Sequence, residues 1–184
     1  MEQRYDLSGS LLHWYDYNKR ILPWRENKDP YRIWISEIML QQTRVEAVKP
    51  YFDRFMEVLP TVYDLAKVDD DRLMKLWEGL GYYNRARNLK AAAQTIVEEY
   101  GGQLPADYDK LLSLKGIGMY TAGAIGSIAF ELQVPAVDGN VLRVLARLWG
   151  DDSDILKDKT KKAMGRRVMA VSYTHLRAHE TKAN

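Results

Sequence analysis

A chain of 184 residues, 46% of them hydrophobic, can bury a core and is too apolar for wholesale disorder. With no cysteine it offers no disulfide, no thiol nucleophile and no thiolate-held cluster, and three histidines, two of them in the last ten residues, argue against a histidine-rich zinc site. The net charge of +2 hints only slightly at a polyanionic partner; without a membrane-length apolar run or a secretory leader, the expectation is a soluble, cytoplasmic protein.

Taken in order, the elements read as helices. "DPYRIWISEIML" opens with Asp29 as N-cap and Pro30 at the first helical position. Val45, Val48, Phe52, Phe55, Met56 and Leu59 recur at helical spacing as far as Pro60. "DDDRLMKLWEGLG" stops on Gly79 and Gly81, and the stripe Leu89, Ala93, Ile96, Val97, Tyr100 is closed by Gly101-Gly102. "ADYDKLLSL" then runs into "LKGIGMYTAG", and "GNVLRVLARLWG" places Val141, Val144, Leu145 and Leu148 on one face. No strand alternation and no internal repeat stands out, so the predicted fold class is all-α. The basic cluster Lys159, Lys161, Lys162, Arg166 and Arg167 reads first as a solvated helix face. Beyond about Ala170, "VSYTHLRAHETKAN" has neither periodicity nor caps and reads as a frayed or foreign end.

Three features could carry chemistry. Gly116 and Gly118 form either a packed corner between two helices or a hairpin that admits a close backbone and turns helix N–H groups toward a phosphate. They are not a Walker loop, because no Lys-Ser/Thr pair follows, and no strand precedes them as in a dinucleotide fingerprint. Glu37, among Ile35, Ile38, Met39 and Leu40, is either an ordinary solvated glutamate or a carboxyl desolvated enough to keep its proton. Asp138 reads as the N-cap of the helix it precedes, where a carboxylate also sits well beside the dipole.

"LLSLKGIGMYTAGAI" followed by "VPAVDGNVLRV", with "LPWR" (22–25), "WISEIMLQQTRV" (34–45) and "LWEGLGYYNRARNL" (76–89) upstream in collinear order, resembles the helix-hairpin-helix DNA glycosylase superfamily. Within it the motifs are most similar to the adenine-specific, MutY-type branch, over roughly residues 10–150. The resemblance implies a six-helix lobe at 25–130 carrying the hairpin at 114–123. It implies a second lobe that joins an N-terminal helix within 1–24 to the aspartate loop and following helix at 131–170, with a non-family tail at 171–184. The implied activity is base-excision repair: hydrolytic removal of adenine mispaired with 8-oxoguanine or guanine, by a monomer acting on double-stranded DNA, away from membranes, in the cytoplasm at a bacterial nucleoid.

The same resemblance implies roles for residues. Glu37 would protonate adenine N7 and position water, Asp138 would stabilise the sugar cation or bond to it transiently, and Asn140 would support them. Tyr120 stands where the endonuclease III branch has a lysine nucleophile, which favours activated water without strand cleavage. Gln42 and Tyr82 would wedge into the duplex beside the orphaned base; Thr43, Gly116, Gly118 and Arg85 would contact DNA; Trp24 and Arg25 would shape the adenine pocket; no metal ligand is implied among these residues. The alternatives are a bifunctional endonuclease III-like glycosylase/lyase and a non-catalytic DNA-binding remnant. The family pattern continues to four cysteines holding a [4Fe–4S] cluster and to a domain that helps recognise 8-oxoguanine. This sequence supplies neither, so the expectation is a truncated or mis-assembled frame departing from the family near residues 165–171, with an incomplete second lobe and Val141, Val144 and Leu148 partly uncovered.

Overall fold

Local capping chemistry decides where the helices begin in the structure, a computed structural model that describes residues 7–157 and 159–168. The proposed 171–184 tail lies outside the described residues. The order is α1 (Leu7–Asn18), a 3-10 turn (Pro23–Arg25), α2 (Pro30–Leu40), α3 (Val45–Val58), α4 (Val62–Lys67), α5 (Asp70–Trp77), α6 (Asn84–Tyr100), α7 (Tyr108–Ser113), α8 (Met119–Phe130) and α9 (Gly139–Trp149). Residues 159–168 are again helical. Among the described residues there is no strand, as the all-α reading expects. None of their helices is long and apolar enough to cross a membrane. Asp29 accepts the Tyr31 N–H at 2.9 Å and starts α2; Asp69, Asp107 and Asp138 do the same for α5, α7 and α9. Thr61 and Asp64 exchange bonds in a capping box that opens α4, a short helix that periodicity alone does not announce.

Helix α2 is the centre of the core. Ile33, Trp34, Ile35, Ser36, Ile38 and Met39 are all buried, because α3 packs on one side of it and α8 on the other. Phe52 and Phe55 from α3, Trp77 from α5, Leu89 and Ile96 from α6, and Ile125 from α8 are buried in the same core. Each such side chain contributes about 1.5–3 kcal/mol by leaving water. In the run 33–39 only Glu37 keeps part of its surface open.

The edges are less covered. Trp14 of α1 is 58% exposed, as is Val144 of α9, and Leu148 is 51% exposed, while Leu142 is the residue of α9 that is buried. The uncovered face foreseen for Val144 and Leu148 is therefore present, with Val141 half-buried. Arg167 stacks 3.8 Å from the Trp149 ring and pairs with Asp151 at 3.6 Å, so one member of the basic cluster is committed within the chain.

After α8 the chain folds back over the helix, and Gly123 permits it. A Cβ at Gly123 would lie 2.2 Å from the Pro135 carbonyl oxygen. Gly123→Ala is expected to lose about 1–3 kcal/mol in urea melts, because backbone rather than a flexible side chain must move. A melt identical to wild type would show that the loop leading to Asp138 is not fixed by this contact.

Candidate active site

A cleft of about 1070 Å³ opens beside α2, lined among others by Trp24, Arg25, Glu37, Gln42, Tyr120 and Asp138. Six of the residues singled out from sequence thus share one space, although they come from four separate stretches of chain. Glu37 reaches it from the middle of the buried α2, Tyr120 from the first turn of α8, and Asp138 from the start of α9. Between the last two, the chain passes close over α8, the Pro135 carbonyl lying against Gly123.

Burial is the largest influence on Glu37 and pushes its pKa up, and the nearby Asp138 pushes the same way. A hydrogen bond from Tyr120 and the Arg25 charge oppose this but do not outweigh it. The Tyr120 phenol is itself pushed up to about 12, first by burial and then by Glu37 and Asp138, so it remains a proton-bearing donor near neutral pH. Asp138 is held on both oxygens: Oδ1 accepts the Val141 N–H at 2.7 Å and Oδ2 accepts Asn140 Nδ2 at 3.0 Å. Asn140 Oδ1 in turn accepts from Arg143 at 3.2 Å. Asp138 is therefore held in place at the positive end of a helix dipole, with Asn140 bonded to it.

Trp24 is buried edge-on against Phe52, with ring centroids 5.3 Å apart, while Arg25 is exposed in the cleft. Arg32, which sequence reading overlooked, holds their turn: it donates to the Pro23 carbonyl at 2.9 Å and lies 5.2 Å from the Phe52 ring centre. Its signal was a lone cation at the third residue of a largely apolar helix.

The residues expected on DNA divide. Gln42 and Tyr82 are both exposed, and both adopt left-handed backbone, with φ of 58° and 49°. Non-glycine residues seldom do so, and such strain gathers at functional loops. Thr43 closes the turn after α2, its N–H bonded to Leu40 at 3.3 Å and its hydroxyl to Gln41 at 3.4 Å. Gly116 requires glycine: its φ is +81°, and a Cβ would meet the Asn88 Cβ at 2.7 Å. Gly118 does not, with φ −92° and ψ 177°, but nothing lies within 4 Å of where its side chain would begin, leaving the first turn of α8 approachable.

Arg85 corrects the sequence reading. Instead of presenting its charge to a phosphate, it turns inward and donates to carbonyls of Ile38, Met39, Gln41, Leu80 and Gly81. Those acceptors sit at a helix end and in a left-handed turn, where backbone groups lack helical partners. The neighbouring cations are also engaged, Lys90 with Asp70 and Arg87 with Asn84. The cluster implied by family resemblance does not fit the donors present: the sequence has no cysteine, and the described residues hold no group of His, Cys, Asp or Glu arranged for a metal ion.

Among the described residues, an all-helical body thus carries a glycine hairpin ahead of α8 and a cleft lined by two carboxyls, Glu37 and Asp138. Residues 35–169 match the family described as HhH-GPD superfamily base excision DNA repair protein, and the chain belongs to that family. It is 48% identical over 149 residues to an adenine DNA glycosylase of Homo sapiens, covering 76% of this chain and 27% of that protein. To an adenine DNA glycosylase of Buchnera aphidicola (subspecies Acyrthosiphon pisum) it is 45% identical over 157 residues, covering 85% and 45%. The chain thus spans between about a quarter and a half of the length of these relatives. Among solved structures it is similar to a thermostable thymine-DNA glycosylase (TM-score 0.80, 30% identity, 88% of this chain and 75% of that one). It is also similar to an endonuclease III in a non-covalent DNA complex (TM-score 0.69, 27% identity, 87% and 77%).

Proposed function

We propose that this chain is the catalytic part of an adenine DNA glycosylase that hydrolyses the N-glycosidic bond of adenine opposite 8-oxoguanine or guanine in duplex DNA, as a monomer in the cytoplasm. The observation that carries the reading is the Glu37 carboxyl, desolvated in a cleft that Asp138 also lines. The relatives named adenine DNA glycosylase support the choice of base.

The glycosidic bond is out of reach inside the stack, so the nucleotide must first swing out. Gln42 and Tyr82, on strained exposed turns, enter the space it leaves, and the open hairpin at Gly116 and Gly118 holds backbone phosphate with its N–H groups. Trp24 and Arg25 border the base in the cleft. Glu37 gives its proton to a ring nitrogen of adenine, and the C–N bond breaks with its electron pair leaving on the base. The sugar cation that develops is stabilised by Asp138. Water adds at the anomeric carbon and returns a proton to Glu37, leaving free adenine and an abasic sugar. Tyr120 holds the Glu37 carboxyl in place and supplies no amine for a Schiff base.

Single-turnover assays on duplexes containing A:8-oxoguanine, A:G and A:T test this, with borohydride present in a parallel set. Free adenine from the first two, without a protein–DNA adduct, is the expected result. A trapped adduct would instead favour a glycosylase/lyase, and duplex binding without adenine release would favour a non-catalytic DNA-binding remnant.

A further inference from the structure

The Arg85 guanidinium lies between two turns that are far apart in sequence. Its Nη1 donates to Ile38, Met39 and Gln41 at 2.8, 3.2 and 2.6 Å, which are the carbonyls at the C-terminal end of α2. Its Nη2 donates to Leu80 and Gly81 at 2.9 and 3.2 Å, in the turn before α6. The same group packs 5.4 Å from the Trp77 ring centre and 5.6 Å from that of Tyr82. The residue following each set of acceptors, Gln42 after Gln41 and Tyr82 after Gly81, is a non-glycine residue in left-handed backbone. Glu37 immediately precedes the first acceptor, Ile38.

We propose that Arg85 is a positioning residue that locks the Gln42 and Tyr82 turns into one rigid unit, in register with Glu37, so that both side chains enter the duplex together while the adenine is presented to the acid. Its charge is spent on five carbonyls, and a planar fork can satisfy two sets of acceptors at once where an ammonium cannot. Relaxing the lock lets each turn return to ordinary backbone and shifts the end of α2. A misplacement of about 1 Å at a reacting group lowers rate by about 100-fold. The catalytic part of this inference rests on the adenine glycosylase reading; the mechanical part does not.

Hydrogen exchange on the full chain reads the mechanical part. In the wild type, amides 39–43 and 80–83 should exchange as one cooperative unit with a common urea dependence, and in Arg85→Lys both should lose protection together while α4 and the later turns of its partner α6 keep theirs. Independent opening of the two segments in the wild type overturns the proposal without any variant having to fold. On an A:8-oxoguanine duplex at saturating protein, Arg85→Lys and Arg85→Ala should slow excision by about 100-fold while the salt dependence of duplex binding keeps its slope. A slope reduced by about one with exchange unchanged would make Arg85 a phosphate contact, and full activity in the lysine variant would make it a bare charge; either result overturns the lock. If exchange behaves as expected but the wild type releases no adenine, the linkage stands and the adenine reading fails.

Discussion

Replacing Glu37 with Gln is expected to abolish adenine release, lowering the single-turnover rate by at least about 100-fold and up to about 10,000-fold, the range a general acid supplies. Gln matches the size and neutrality of the protonated acid and can still accept from Tyr120, so duplex binding should change little. The variant should also be more stable than wild type at neutral pH. Burial raises the Glu37 pKa in the folded chain, so the native state binds the extra proton. Stability tied to that proton is complete below the unfolded value of about 4.3 and is lost as pH rises through the higher folded value. Gln escapes that loss, so its melting temperature should exceed that of wild type at pH 8 and converge with it in acid. Excision by wild type should fall over the same alkaline-going window as the acid loses its proton. Unchanged excision by Glu37→Gln would remove this residue from the reaction.

Replacing Asp138 with Asn is expected to lower excision by about 100- to 1,000-fold, the loss typical of removing one fixed electrostatic stabiliser. Here the fold is a built-in control. Asn is as good an N-cap as Asp, so its side-chain oxygen can still accept the Val141 N–H and α9 should start unchanged. What disappears is negative charge facing the sugar. Asp138→Ala, which also removes the cap, should lose stability by about 1 kcal/mol as well. If Asn matched wild type in rate, Asp138 would be a cap and nothing more.

The parts of the site legible in the sequence are those whose chemistry is local. Asp29-Pro30 announces α2, and the apolar flanks of Glu37 announce its desolvation, because three of its nearest neighbours along the helix are buried. Asp138 reads correctly as a cap because capping depends on the next three residues. Helix α4 was missed, although Thr61 and Asp64 spell its start, because it lies between Pro60 and the caps of α5 with only a short apolar stripe to mark it. Arg85 was misread for a different reason. A helical side chain points back toward the N-terminus, so a cation in the first turn of α6 reaches the preceding turn and, across it, the end of α2. That pairing spans more than forty residues of sequence and depends on how α2 and α6 sit together. The left-handed backbone of Gln42 and Tyr82 was equally hidden, since neither residue type advertises it as glycine would. Family resemblance marked both positions without giving the physical reason.

The titration of Glu37, followed by carbon NMR of a glutamate-labelled chain and assigned by the signal missing from Glu37→Gln, tests the account most directly. The midpoint should lie above the ordinary glutamate value of about 4.3, and Tyr120→Phe, which deletes the bond favouring the carboxylate, should raise it further. A Glu37 midpoint at or below that ordinary value would mean that Glu37 is already ionised near neutral pH and the cleft has no acid to give.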